Sequence, residues 1–351
     1  MKECSSGPLS GALKPKYRRL SISFGENYIP ENGIDIFIDL NTLIQGMSSW
    51  RKWLNSLPFS SNVEQDICST VLTTLKHWKD FTNRWNDVRI FMMYNDFNTE
   101  EVAEKSQLKA YLAQYSNKFK NEKYTQLVYY WNESMKILEP LFDFLPNSYL
   151  VKCSKFDAFI LPEIIDDYDK NKRERFIISG SPVMMAYDFR PRTKAMFTKL
   201  NSSSTGAVNV HIDDLTMVVQ SFTNIHDDIM NIFASNRVLY TLLNTIVGDK
   251  DRSVIGLTQF GITVFATDIL RCIEKGEIPA DPKSIESVLP VINTSYHDYI
   301  KKNFPLMDVQ LHAQMIKPSI IEQTRARLVD KSDIDSLMKF TINGLNLMEL
   351  L

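Results

Sequence analysis

Histidine and cysteine are scarce, with five His and four Cys in 351 residues, and no cysteine lies in a CxxC pair. Cys4, Cys68, Cys153 and Cys272 stand far apart, which argues against a disulfide framework and a zinc site and fits a reducing compartment. A long apolar run is also missing. No stretch of about 18 uncharged apolar residues occurs, and the opening MKECSSGPLSGALKPKYRR has no apolar signal core, so neither membrane spanning nor secretion is expected. Charge of one sign is absent as well. Lys+Arg number 40 against 42 Asp+Glu, a net charge of −2, so any basic surface for nucleic acid must be local. What remains is a soluble, cytoplasmic protein with no membrane partner and 44% hydrophobic residues, enough for one large core or two smaller ones.

Residues 1–25, rich in Ser, Gly, Pro and basic side chains without periodicity, read as a flexible extension. Ile34 to Leu40 (IDIFIDL) is an apolar, β-branched run ending in Asp-x-Asn and followed by helical composition from Ser48 to Lys79. Val88 to Tyr94 (VRIFMMY) is a second such run, with Asp96 just beyond it. Ser148 to Cys153 (SYLVKC) predicts a third strand, the apolar spacing in DAFILPEIIDDY a helix, and Arg175 to Gly180 (RFIISG) a fourth strand. AMFTKL and AVNVHI, across the turn Ser202 to Gly206, predict a strand pair. The rest reads as helical, punctuated at Gly248, Gly256, Gly261 and Gly276.

Alternating strands and helices predict an α/β fold with a mostly parallel central sheet flanked by helices, with chemistry at the carboxyl ends of the strands. The division expected is an α/β domain over residues 26–220 and a helical region over residues 221–351.

The order of these motifs resembles the flap endonuclease and 5′-exonuclease (PIN-like) family, above all its bacteriophage RNase H-type members. The segment VGDKDRSVIGLTQFGITVFA (Val247 to Ala266) aligns without a gap to the family's glycine-rich helix-hairpin-helix motif, keeping Gly248, Asp249, Gly256 and Gly261. NFPLMD (Asn303 to Asp308) resembles the family's tail. The resemblance implies a metal-dependent 5′-nuclease, in which two Mg²⁺ or Mn²⁺ ions held by carboxylates activate water and neutralise the leaving oxyanion.

Carried over position by position, the resemblance implies Asp39, Asp96, Asp157 and Asp249 as the acidic site residues. Four further family acids are replaced, by Lys155, Ser181, Val183 and Arg252. Four acids and two cations leave a formal charge of −2 where the family has eight acids. Two divalent ions require roughly −4 or more from their ligands, because each cation must be stripped of water. The expectation is that Lys155 and Arg252 stand in place of the metals, and that Asp39, Asp96 and Asp157 hold one ion at most, with Glu163 as a poor substitute ligand. Mg²⁺ or Mn²⁺ binding is then weak or absent.

Between Lys105 and Tyr124 lysines alternate with aromatic residues. The resemblance makes this stretch an arch over the site, with Lys105, Lys109, Lys118 and Lys120 neutralising phosphates and Tyr111 and Tyr115 stacking on bases. Gly256 and Gly261 would contact DNA through the hairpin. Each feature also has a plain structural reading. Asp39 caps a helix, Asp96 forms a turn, Asp157 complements a helix dipole, GDKD closes a helix as an Asx turn, and the Lys-Tyr stretch is an amphipathic helix.

The leading expectation is a protein of the 5′-nuclease family, from a phage or related replicon, that binds branched or single-stranded DNA in replication or repair with weakened or lost hydrolysis. A replication protein is the natural protein partner and a phage-infected bacterial cell the natural setting. Two alternatives stand beside it: an active metal-dependent 5′-exonuclease or flap endonuclease that removes primers or flaps, and a non-catalytic scaffold or assembly component reusing the fold.

Overall fold

The computed structural model describes residues 30, 32–40, 63–83, 85–95, 122–153, 162, 173–202, 208–213, 229–249 and 254–314. Its centre is strand β1 (Ile34–Asp39), buried along its whole length. The sequence IDIFID explains this. Ile34, Ile36 and Ile38 point to one face, and Phe37 points to the other between Asp35 and Asp39, so both faces of the strand need cover. Five more strands complete one sheet: β2 (Val88–Asn95), β3 (Ser148–Cys153), β4 (Glu174–Ser179), β5 (Thr193–Ser202) and β6 (Val208–Asp213). Their order is β3-β2-β1-β4-β5-β6. All neighbours are parallel except β5 and β6, which form the strand pair expected across the Ser-rich turn.

Helix α1 (Val63–Thr82) and helix α2 (Glu122–Phe144) cover the isoleucine face of β1. In α1, Val63, Ile67, Val71, Leu75 and Trp78 recur at helical spacing and are buried, with Glu64 and Asp66 in the first turn and Lys79 in the last, as the helix dipole favours. Trp131, Met135, Leu138 and Phe142 do the same for α2. This second helix runs through Pro140, whose missing N–H removes one backbone bond. It is absent from the sequence reading, which takes the segment only as far as Tyr124.

The opposite face carries a ladder of stacked rings. Phe37 lies 4.9 Å from Phe91, which lies 4.8 Å from Tyr149, each pair within 13° of parallel, because the register places these residues side by side on β1, β2 and β3. Four helices pack in this second core: α3 (Ile229–Ser235), α4 (Arg237–Val247), α5 (Gln259–Glu274) and α6 (His297–Met307). A short helix, α7 (Val309–Gln314), follows, capped by Asp308 through the N–H groups of Gln310 and Leu311.

Two details differ from the sequence reading. Residues 277–296 are not continuous helix but single 3-10 turns at Ile285–Ser287, Leu289–Val291 and Thr294–Tyr296, since Pro279, Pro282 and Pro290 each withhold a backbone donor. Gly261 does not interrupt the chain; it is the third residue of α5, where the Thr258 hydroxyl caps its N–H.

At the amino ends of the strands a charged cluster fastens the sheet. Asp35, 1% exposed, receives two bonds from Arg89 and one from Arg173, at 2.7 to 2.8 Å. Arg173 also bonds the carbonyls of Ile34 and Asp87 and pairs with the Asp87 carboxylate. One guanidinium thus joins β1, the approach to β2 and the start of β4. No helix among the described residues is long and apolar enough to cross a membrane.

Candidate functional site

The strand order turns at β1. From it the chain goes to β2 and β3 on one side, and returns to β4 and β5 on the other. In parallel sheets such a reversal opens a crevice at the carboxyl ends, between the two strands at the turn. Asp39 ends β1 and Ser179 ends β4, so both border that crevice.

The Ser179 hydroxyl donates to Oδ2 of Asp39 at 2.7 Å and accepts the N–H of Ser181 at 3.0 Å. Asp39 is 6% exposed, so its carboxylate meets this hydroxyl largely out of water. The chain then enters a 3-10 helix, Pro182–Phe189, started by the fixed φ of Pro182. The Pro182 carbonyl accepts the hydroxyl of Tyr240 from α4 at 2.8 Å. Tyr240 is wholly buried, which pushes its phenol pKa up and keeps it a donor. Hydrogen bonds at Ser179, Ser181 and Pro182 of one backbone segment therefore tie it to the end of β1 and to helix α4.

The described ends of β1 and β4 supply one carboxylate to this crevice, that of Asp39. The β4 edge offers the hydroxyls of Ser179 and Ser181 and no carboxylate, and the first is already bonded to Asp39. Ser181 Oγ is out of water and has no hydrogen-bond partner among the described residues, and a neutral hydroxyl contributes no charge. Val183, in the 3-10 helix that follows, is fully buried in the apolar core. Among the described residues no group of three or more His, Cys, Asp or Glu is placed to hold a metal ion.

Asp249 follows the end of α4. Its backbone N–H and C=O both pair with Val254 at 2.9 Å, closing a tight loop before α5. Gly248, with φ of 81°, ends α4, and its N–H bonds Asn244 O at 2.8 Å. A Cβ on Gly256 would stand 1.8 Å from Val247 O, and one on Gly248 would stand 2.3 Å from Gly256 N. Both glycines are therefore required by the close approach of two backbone segments. Leu257 N–H bonds Ile246 O at 2.9 Å, and the Tyr299 hydroxyl from α6 reaches Thr245 O and Ile255 O, each at 2.7 Å. Burial pushes the Tyr299 phenol up to about 12.

Of the residues singled out in the sequence, Asp39 is at the carboxyl end of β1, Asp249 and Gly256 lie between α4 and α5, and Gly261 is in the first turn of α5. Asp96, Asp157, Lys155, Arg252, Glu163, Lys105, Lys109, Lys118, Lys120, Tyr111 and Tyr115 lie outside the described residues. Ser179, Tyr240 and Tyr299 had no role in the sequence reading. Their partners are distant in the chain, and only the strand register and helix packing bring them together.

No protein-family profile matches this chain, and no curated protein matches it by sequence. Among solved structures it is similar to the T5 5′-exonuclease with bound zinc, at 14% identity and a TM-score of 0.49, over 86% of this chain and 100% of that one. It is similar too to the T5 D15 protein co-crystallised with metal ions, at 12% identity and a TM-score of 0.45, over 86% and 100% of the two chains. A third similar structure is a T5 D15 flap endonuclease variant described as a pseudo-enzyme-product complex with DNA and metal ions, at 14% identity and a TM-score of 0.44, covering 91% of this chain and 98% of the other.

Proposed function

We propose that this protein is a DNA-binding member of the 5′-nuclease group, acting in replication or repair on branched or single-stranded DNA, with weakened or lost phosphodiester hydrolysis. The observation that carries the reading is the crevice edge. Asp39 stands where the family resemblance requires an acid, whereas the two acids that the resemblance expects just beyond β4 are Ser181 and Val183 here. A hydroxyl supports one carboxylate; it does not supply the negative charge that two cations need. The glycine-closed loop between α4 and α5 supports the DNA-binding half, because it matches the family's hairpin at both glycines whose backbones touch.

Lys155 and Arg252 belong to this reading as cations beside Asp157 and Asp249, and the Lys105 to Lys120 stretch as the phosphate-neutralising arch, with Asp96 completing the retained acids. Binding of 5′-flap DNA that weakens steeply as salt rises is the expected result, because displaced counterions make phosphate contacts salt-sensitive. No such binding would sink the DNA reading and leave a scaffold. Cleavage in Mn²⁺ that disappears in Asp39→Ala would overturn the loss of hydrolysis.

A further inference from the structure

Helix α4 ends with carbonyls that need partners, as every helix does. Asn244 O accepts from Gly248 N–H and Ile246 O from Leu257 N–H. Thr245 O has the Tyr299 hydroxyl at 2.7 Å, and the same hydroxyl lies 2.7 Å from Ile255 O on the far side of the loop. One phenol proton is therefore shared by two carbonyls, one from the helix end and one from the loop exit. These three oxygens bring together pieces of chain that are 44 and 54 residues from Tyr299 in sequence.

We infer that Tyr299 is a positioning residue for DNA: its hydroxyl clamps the exit of the α4–α5 loop against the end of α4 and so fixes the backbone surface that meets the nucleic acid. This rests on the DNA-binding reading above. The phenol acts between two other fastenings of the loop exit. Val254 is buried in the core and pairs with Asp249, Leu257 N–H bonds Ile246 O, and Ile255 between them is 70% exposed. Gly256, which follows, has no side chain to anchor it. Without the phenol, Ile255 O faces water, and the φ/ψ freedom of Gly256 is released just where the two backbones touch. A binding surface that must be ordered on contact binds more weakly than one already ordered.

Tyr299→Phe in the full chain is the test, since it removes one oxygen and keeps the ring in its packing. Two readouts separate the clamp from the DNA reading. Amide hydrogen exchange should quicken at Val254 and Leu257 by about 3- to 10-fold, the weight of one hydrogen bond. Affinity for a 5′-flap DNA, read by fluorescence anisotropy at ~0.1 M salt, should fall by a similar factor, while the slope of affinity against salt stays unchanged because no phosphate contact is lost. Unchanged exchange overturns the clamp. Faster exchange with unchanged affinity overturns the positioning role. A wild-type chain that binds no DNA sinks the functional reading and this role with it, while exchange still reports whether the clamp exists.

Discussion

The Ser179 hydroxyl lies 2.7 Å from Oδ2 of Asp39, although 140 residues separate the two in the chain. The parallel pairing of β1 with β4 makes this meeting unavoidable, since Ile38 stands opposite Ile178 and the next residue on each strand is the pair itself. The hydroxyl both donates and accepts, taking the Ser181 N–H as it gives its proton to the carboxylate. Removing it leaves a buried acceptor and a partly buried donor each short of a bond. Ser179→Ala should therefore lower stability by about 1–3 kcal/mol, read as a fall in the urea midpoint without a change in slope. An unchanged midpoint would show that water replaces the hydroxyl at no cost.

The buried charges at the other end of the sheet predict a larger loss. Arg173 satisfies Asp35 and spans three chain segments with a planar, forked head. Arg173→Ala leaves Asp35 buried with Arg89 alone, and should cost about 3 kcal/mol, the lower end for breaking a buried ion pair because one partner remains. Arg173→Lys should recover little of it, since an ammonium cannot reach Asp35, Asp87 and two carbonyls at once. Full recovery by lysine in thermal melts would mean that charge alone, not the fork, holds the strands.

Much of the central architecture was legible because apolar, β-branched runs can hardly be anything else. IDIFIDL, VRIFMMY and SYLVKC predict β1, β2 and β3, and Asp39 falls at a strand end as expected. The glycines Gly248 and Gly256 were picked out by the family resemblance, and the structure supplies the reason for them, the close approach of two backbone segments. Helix α2 was not legible, because its Tyr, Trp and Pro content hides the helical stripe until α1 is present to bury it. The Arg173 staple and the Tyr299 clamp were illegible on principle. Each is a single polar side chain whose partners lie tens of residues or more away, and nothing in the local pattern marks it.

The glycines can be ranked by what an added methyl group would strike. Gly256→Ala drives a Cβ to 1.8 Å from a backbone oxygen, which no rotamer change relieves, so a loss of more than about 3 kcal/mol is expected. Gly276, with φ of 73° and nothing within 4 Å, carries only the cost of a left-handed conformation, about 1 kcal/mol. Gly261 sits in the first turn of α5 with the Leu257 side chain 3.3 Å from the added atom, where helix propensity and mild crowding nearly cancel, so a change within about 0.5 kcal/mol is expected. Denaturation of the three alanine variants tests the order, and a Gly256→Ala as stable as Gly261→Ala would mean that the loop is not closed as described.

Alkaline pH should destabilise the fold through groups that are buried or half-buried in their neutral form. Burial pushes the Cys68 thiol from 9.0 to about 12, and the Tyr299 phenol from 10.0 to about 12, and it raises Tyr240 as well. In each case the unfolded chain gives up its proton at a lower pH than the native one. Between about pH 9 and 12 the native state therefore holds more protons, and stability must fall as pH rises through that window. Below pH 9 both states are protonated at these groups and they add no slope. Urea midpoints measured from pH 8 upward should decline, and the decline should be shallower in Cys68→Ala and in Tyr299→Phe, each of which removes one titrating group. The same slope in both variants would place the lost protons elsewhere and show that burial does not hold these two groups in their neutral form.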